Sequence, residues 1–125
     1  MPRKKLKSPF EILTASVQEA MLEKLARQPV MLGFSKMGGS VCDAFLICHG
    51  NSRTQVEAIA ENVIEKVKKN TGLNPWHKEG TENAEWILID YSDVVVHIFQ
   101  EERRKFYNLE QLWGDAEITK ISEKS

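Results

Sequence analysis

A single α/β domain, built on a mixed sheet of about five strands with helices mainly on one face, is the fold that this sequence predicts. Three observations carry it. The run AFLIC at 44–48 is apolar without alternation, as expected of a central strand covered on both faces. Residues 52–69 follow as an amphipathic helix with its own start and stop signals. Residues 84–99, AEWILIDYSDVVVHIF, pinch two further apolar runs around Tyr91-Ser92-Asp93, and so short a connection makes them an antiparallel hairpin.

In chain order, residues 1–10 form a basic arm, with Arg3, Lys4, Lys5 and Lys7 ahead of Ser8-Pro9. The composition is that of a disordered, solubilising segment, and four charges are few for an arm that grips phosphate. The domain proper occupies 11–114. Leu13, Val17, Met21 and Leu25 line one stripe of a helix from Glu11 to about Arg27, which Pro29 ends. Residues 30–34 read as a short strand, followed by a Lys36-Met37-Gly38-Gly39 turn and the central run 44–48.

His49-Gly50-Asn51 then turns the chain into the long helix. Ser52 is its N-cap, and Gln55, three positions on, is placed to complete a capping box through the Ser52 amide. Val56, Ile59, Ala60, Val63, Ile64 and Val67 form one apolar face. Lys66, Lys68 and Lys69 crowd the negative end of the helix dipole, and Gly72 supplies a left-handed cap. A short extended WHKE segment and a Gly80-Thr81-Glu82-Asn83 turn lead to the hairpin. Residues 100–107 read as helical, and Leu109, Leu112 and Trp113 return a last apolar turn to the body. Residues 115–125 form a polar, frayed tail.

Composition narrows the function. The chain has 125 residues, 42% hydrophobic and 28% charged, with a net charge of −1. That is one ordinary globular domain with no overall field to attract nucleic acid or anionic membrane. No apolar stretch approaches a membrane span, and MPRKKLKSPF lacks the core of a signal peptide, so a cytoplasmic protein is expected. Cys42 and Cys48, both in apolar surroundings, read as buried small hydrophobes. Neither they nor His49, His77 and His97 have the short spacing of a metal site, so no metal is expected.

Three constellations invite chemistry. The turn after residue 48 presents helix N-terminal amides beside Arg53, a ready anion site, yet it lacks a GxxxxGK or GxGxxG pattern and reads better as a capped turn. Asp90 and Asp93 suggest a metal-binding pair for nucleotidyl transfer, but such pairs read Asp-x-Asp on one strand face, and Asp93 more simply caps the turn. His97 lies on the last strand with Val95 and Phe99 on its face and no nucleophile beside it in sequence. No catalytic group and no cofactor emerge.

Trp86, Leu88 and Asp90 share one strand face, and Ile87, Ile89 and Tyr91 the other. The long helix can cover only one side of this sheet. The remaining mixture of aromatic, aliphatic and acidic groups suits a protein-binding patch with an aromatic anchor. Alternatively, residues 109–113 cover Trp86 as core, and the sequence leaves both readings open.

These residues carry one further pattern. AFLICHGNSRTQVEAIAENV, HKEG, AEWILIDYSDVVVHIF and FYNLEQLW, in that order, closely resemble the ribosomal silencing factor family (RsfS, or Iojap), from roughly Leu13 to Trp113. The resemblance implies a nucleotidyltransferase-like fold without that activity. It also implies binding to the large ribosomal subunit through ribosomal protein L-fourteen, blocking small-subunit joining and lowering translation when nutrients are scarce. Matched by position, the family's tryptophan falls on Trp86, its strand-end acid on Asp90, its turn acid on Asp93 and its histidine on His97. His77, Glu79 and Gly80 match the segment before that strand. The first strand departs from the pattern, with VMLGFSKMGGS where family members usually carry acidic residues.

The expected partner-binding residues are therefore Trp86 and Leu88 as the apolar anchor, Asp90, Tyr91 and Glu79 as polar contacts, and His77 and Gly80 beside them. Contact with nucleic acid would be at most peripheral, to rRNA. An apolar sheet face could also pair with itself, giving a weak homodimer off the ribosome.

Overall fold

The computed structural model describes residues 8–34 and 42–123. The expected Lys36–Gly39 turn and most of the basic arm lie outside them. Helix α1 (Pro9–Glu23) leads into β1 (Arg27–Gly33) and β2 (Ala44–Gly50), and α2 (Arg53–Thr71) follows. Then come β3 (His77–Glu79), β4 (Trp86–Asp90), β5 (Val94–Gln100), α3 (Glu101–Tyr107), the single turn α4 (Leu109–Leu112) and β6 (Glu117–Lys120). The strands form one sheet in the order β3-β4-β5-β2-β1-β6. Only the central pair, β2 and β5, is parallel.

The sheet has six strands where about five were expected. The sixth is β6, in the segment read as a frayed tail. Its four side chains are all exposed, so it leaves no hydrophobic signature, and it is held by main-chain pairing to the edge of β1.

The end of α1 also differs from expectation. The helix stops at Glu23, and β1 begins at Arg27, where the helix was expected to end. Leu25 takes a left-handed conformation (φ 59°), and the amide of Ala26 donates to the Met21 carbonyl at 3.0 Å, closing a Schellman-type turn without a glycine. Gln55 helps to make this possible. Its side-chain amide donates to the carbonyls of Lys24 and Leu25 at 3.2 and 3.0 Å, while its oxygen accepts from Asn51 at 2.7 Å. Gln55 thus fastens the start of α2 to the end of α1, where a capping box through the Ser52 amide was expected. The rest of α2 follows the pattern, with the Ser52 hydroxyl accepting from the Gln55 amide and Gly72 as the left-handed cap (φ 79°). Lys66, however, turns to Glu19 and Glu23 on α1 instead of the helix end.

Helices α1 and α2 cover one face of the sheet. Leu13, Val17, Met21, Val56, Ile59 and Val63 meet Leu46, Ile87, Ile89, Val96 and Ile98 in one aliphatic cluster. Opposite, Val30, Leu32, Phe34, Phe45, Ile47 and Phe99 form a second cluster beneath Leu109, with Trp86, Val95 and Trp113 at its margin. β2 contributes to both and is buried along its whole length, as its unbroken apolar run requires. Cys42 and Cys48 are both buried and free.

Candidate functional site

The second face is covered unevenly, and the uncovered part is where most of the singled-out residues meet. Register decides this. His77 pairs with Asp90 and Glu79 with Leu88 across β3 and β4, while Leu88 pairs with His97 and Trp86 with Phe99 across β4 and β5. Directly paired residues share a face. Trp86, Leu88, Asp90, His77 and Glu79 therefore lie together, on the face away from α1 and α2. Trp86, Leu88 and Asp90 are half-buried, whereas His77 and Glu79 are exposed and 2.7 Å apart.

Trp86 is neither plain core nor a free ring. Its indole N–H donates to His97 Nδ1 at 3.1 Å, its ring stacks 4.9 Å from Phe99, and Tyr107 of α3 leans against it at 4.6 Å. The segment 109–113 does not cover it. Leu109 is buried and Trp113 packs against Phe34 and Phe45, further along the sheet, while Leu112 remains 71% exposed. The ring is thus oriented by one hydrogen bond and contacts with the three rings of His97, Phe99 and Tyr107, and it stays half-buried.

His97 is the orienting group. It is buried beside Phe45, and because Nδ1 accepts the indole proton, the neutral ring carries its hydrogen on Nε2, which has no partner. Burial pushes its pKa down to about 4, so it stays uncharged near neutral pH. This is a structural histidine.

Two expected contact residues play other parts. Tyr91 is only 5% exposed and belongs to the aliphatic cluster under α2, so it cannot join the Trp86 patch. Burial raises its hydroxyl to about 12, and that hydroxyl is unpaired. Gly80 shapes the patch from behind. It sits at φ +82°, and a Cβ there would lie 1.9 Å from the Trp86 carbonyl oxygen, so only glycine permits β3 to turn so close to β4. The turn acid also changes identity. Asp90 accepts the Ser92 amide at 2.7 Å, while the Asp93 carbonyl accepts the amides of Asp43 and Ala44.

The nucleotide-site constellation comes apart in three dimensions. Gly50 and Ser52 lie at the end of β2, level with Gln100, whereas Asp90 and Asp93 adjoin the start of β5, level with Ala44. Six strand residues separate those levels, about 20 Å. Arg53 donates to the Glu82 carbonyl and pairs with Glu57, away from the turn's amides. Among the described residues, no group of three or more His, Cys, Asp or Glu side chains could hold a metal. No helix there is long and apolar enough to cross a membrane.

Two features escaped sequence reasoning. Arg104 is buried beneath α3, where it donates to His49 Nδ1 at 2.9 Å and to the Arg27 carbonyl, with Glu110 at 3.4 Å. Burial and this cation lower the His49 pKa, and the cluster braces α3 against the end of β2. A buried arginine in EERRKFY has no sequence signal that separates it from its charged neighbours. The other is Trp76, 82% exposed just before β3.

Comparison with known proteins adds the family. Residues 7–125 match the family model described as "Ribosomal silencing factor during starvation". A protein of Halalkalibacterium halodurans named ribosomal silencing factor RsfS is 45% identical over 89% of this chain and 92% of its own length. The protein of the same name from Bacillus subtilis is 48% identical over 65% of this chain and 68% of its own length. Among solved structures, a protein of Chromobacterium violaceum superposes with a TM-score of 0.76 at 33% identity, covering 82% of this chain and 83% of that one. One from Bacillus halodurans gives 0.71 at 42% identity, covering 88% and 96%.

Proposed function

This chain belongs to the ribosomal silencing factor family, and on that premise we propose that it represses translation, without catalysis, by occupying the large ribosomal subunit through ribosomal protein L-fourteen and excluding the small subunit. It would act in the cytoplasm, where its partner is. The observation that carries this reading is the half-buried Trp86, held by His97, Phe99 and Tyr107 on a part of the sheet that the described helices cover incompletely. A ring held in one orientation loses little entropy on docking, which is what an interface anchor needs. Leu88 extends the apolar centre, and Glu79 and Asp90, with His77 beside them, supply an acidic rim suited to a basic ribosomal protein. Separation of the Gly50–Ser52 turn from Asp90 and Asp93 speaks against the nucleotidyltransferase alternative.

Subunit joining followed by light scattering tests the mechanism. Saturating protein is expected to suppress joining, and normal joining under saturation would rule out occlusion. Leu88→Arg, which sets a cation at the centre of the patch, is expected to abolish binding to large subunits while the protein stays folded by circular dichroism. Undiminished binding of that variant would move the interface elsewhere.

A further inference from the structure

Trp76 is the most exposed of the large hydrophobic side chains described, at 82%, and it contributes little to the fold. It is nonetheless placed firmly. Pro75 fixes the backbone before it, and its own amide donates to the Asp90 carbonyl at 2.7 Å, which ties it to the end of β4 beside His77. A tryptophan in water forgoes the burial of some 150–250 Å² of mostly apolar surface. The pairing of His77 with Asp90 puts Trp76 at the far end of β4 from Trp86, four strand residues or about 13 Å away.

The electrostatics of this edge select the kind of partner. Residues 76–93 carry five acids, Glu79, Glu82, Glu85, Asp90 and Asp93, against one base, Lys78. Arg103 offsets Glu85 at 3.2 Å, which leaves four acids against that base on a chain whose total charge is −1. Such an edge repels RNA phosphate and attracts a basic protein surface.

We infer that Trp76 is a second aromatic anchor for the same basic protein partner, docking at the opposite end of the acidic β3–β4 edge from Trp86. This rests on the reading of the Trp86 patch as the ribosome-binding surface. Two anchors about 13 Å apart span a contact of ordinary size, whereas Trp86 and Leu88 alone would make a small one. They also fix rotation about the docking axis, which one anchor leaves free.

The test is equilibrium binding of the full chain to purified large ribosomal subunits by cosedimentation, with protein-stripped rRNA as the competing probe. Trp76→Ala is expected to leave thermal unfolding unchanged and to weaken subunit binding about thirtyfold or more. Leu112→Ala, which removes another exposed apolar side chain, is expected to leave binding unchanged. Wild-type binding by Trp76→Ala, alongside loss in Leu88→Arg, would overturn the inference and leave the proposed surface standing. Equal losses in Trp76→Ala and Leu112→Ala would reduce the effect to general stickiness and overturn it too. Comparable affinity for stripped rRNA would replace the basic protein with RNA, again against the inference. Failure of the wild-type chain to bind subunits at all would remove both this inference and the reading beneath it.

Discussion

The two faces of this sheet are made from the same strands and are built to opposite ends. Under α1 and α2, Ile87, Ile89, Val96 and Ile98 are sealed in a largely aliphatic cluster, in which the Tyr91 hydroxyl is buried without a hydrogen-bond partner. On the other face, α3, α4 and Trp113 cover the part over β5, β2 and β1, and the β3–β4 part ends in a ring of aromatic and polar groups around Trp86. The first face stores stability. The second spends part of its apolar surface on remaining open, and it keeps that surface in one conformation with a hydrogen bond between an indole and a buried imidazole. The lesson is that a half-covered sheet can be rigid without being closed, provided its open groups orient one another.

The largest expected difference between the faces is in stability. Ile98→Ala, on the sealed face, is expected to cost about 3 kcal/mol or more, because α2 cannot collapse into the space left. Urea denaturation measures this. A loss below about 1 kcal/mol would mean that the helical layer is looser than its packing suggests.

The next effect is pH-dependent and belongs to the open face. His97 is neutral in the fold, with a pKa near 4, against 6.5 in the unfolded chain. As pH falls through 6.5 the unfolded chain takes up the proton first, so stability declines between about pH 6.5 and 4. From pH 7 to 5 the decline is about 2 kcal/mol, and the lowered His49 adds to it in the same direction. His97→Asn keeps an acceptor for the Trp86 N–H but does not titrate, and should flatten the dependence. An unchanged profile in that variant would assign the acid sensitivity to other groups.

The smallest effect sharpens the comparison from the other side. Leu88→Ala, on the open part of the second face, is expected to cost less than about 1 kcal/mol by the same urea measurement, since its side chain is already half in water. A cost matching that of Ile98→Ala would mean that the patch is core after all.

Much of this architecture is legible in the chain because it rests on local pattern. The unbroken AFLIC run, the Ser52 cap, the apolar stripe of α2 with Gly72 behind it, and the short Tyr91–Asp93 connection each constrain a few neighbouring residues, and each appears as read. The places where the reading slipped depend on distant residues. Leu25 ends α1 without a glycine signal because Gln55, 30 positions away, satisfies the exposed carbonyls. β6 has no apolar alternation because its register comes from the edge of β1. Tyr91, by contrast, was expected among the partner contacts although strand parity sets it on the face of Ile87 and Ile89, and the structure follows the parity by burying it in the core under α2.

By itself, then, the sequence determined the secondary structure apart from β6 and the end of α1, the parity that puts Trp86, Leu88 and Asp90 on one face, and the motif order that marks the family. Those are set by periodicity, capping and spacing, which act within a few residues. Only the tertiary structure decided which half of the second face stays open, how Trp86 is held, and that β3 adds His77 and Glu79 to its patch. Strand order and cross-strand register are properties of residues brought together from far apart in the chain. The tryptophan that starts β4 is written in the sequence, whereas its partial exposure is a consequence of where α3 stops.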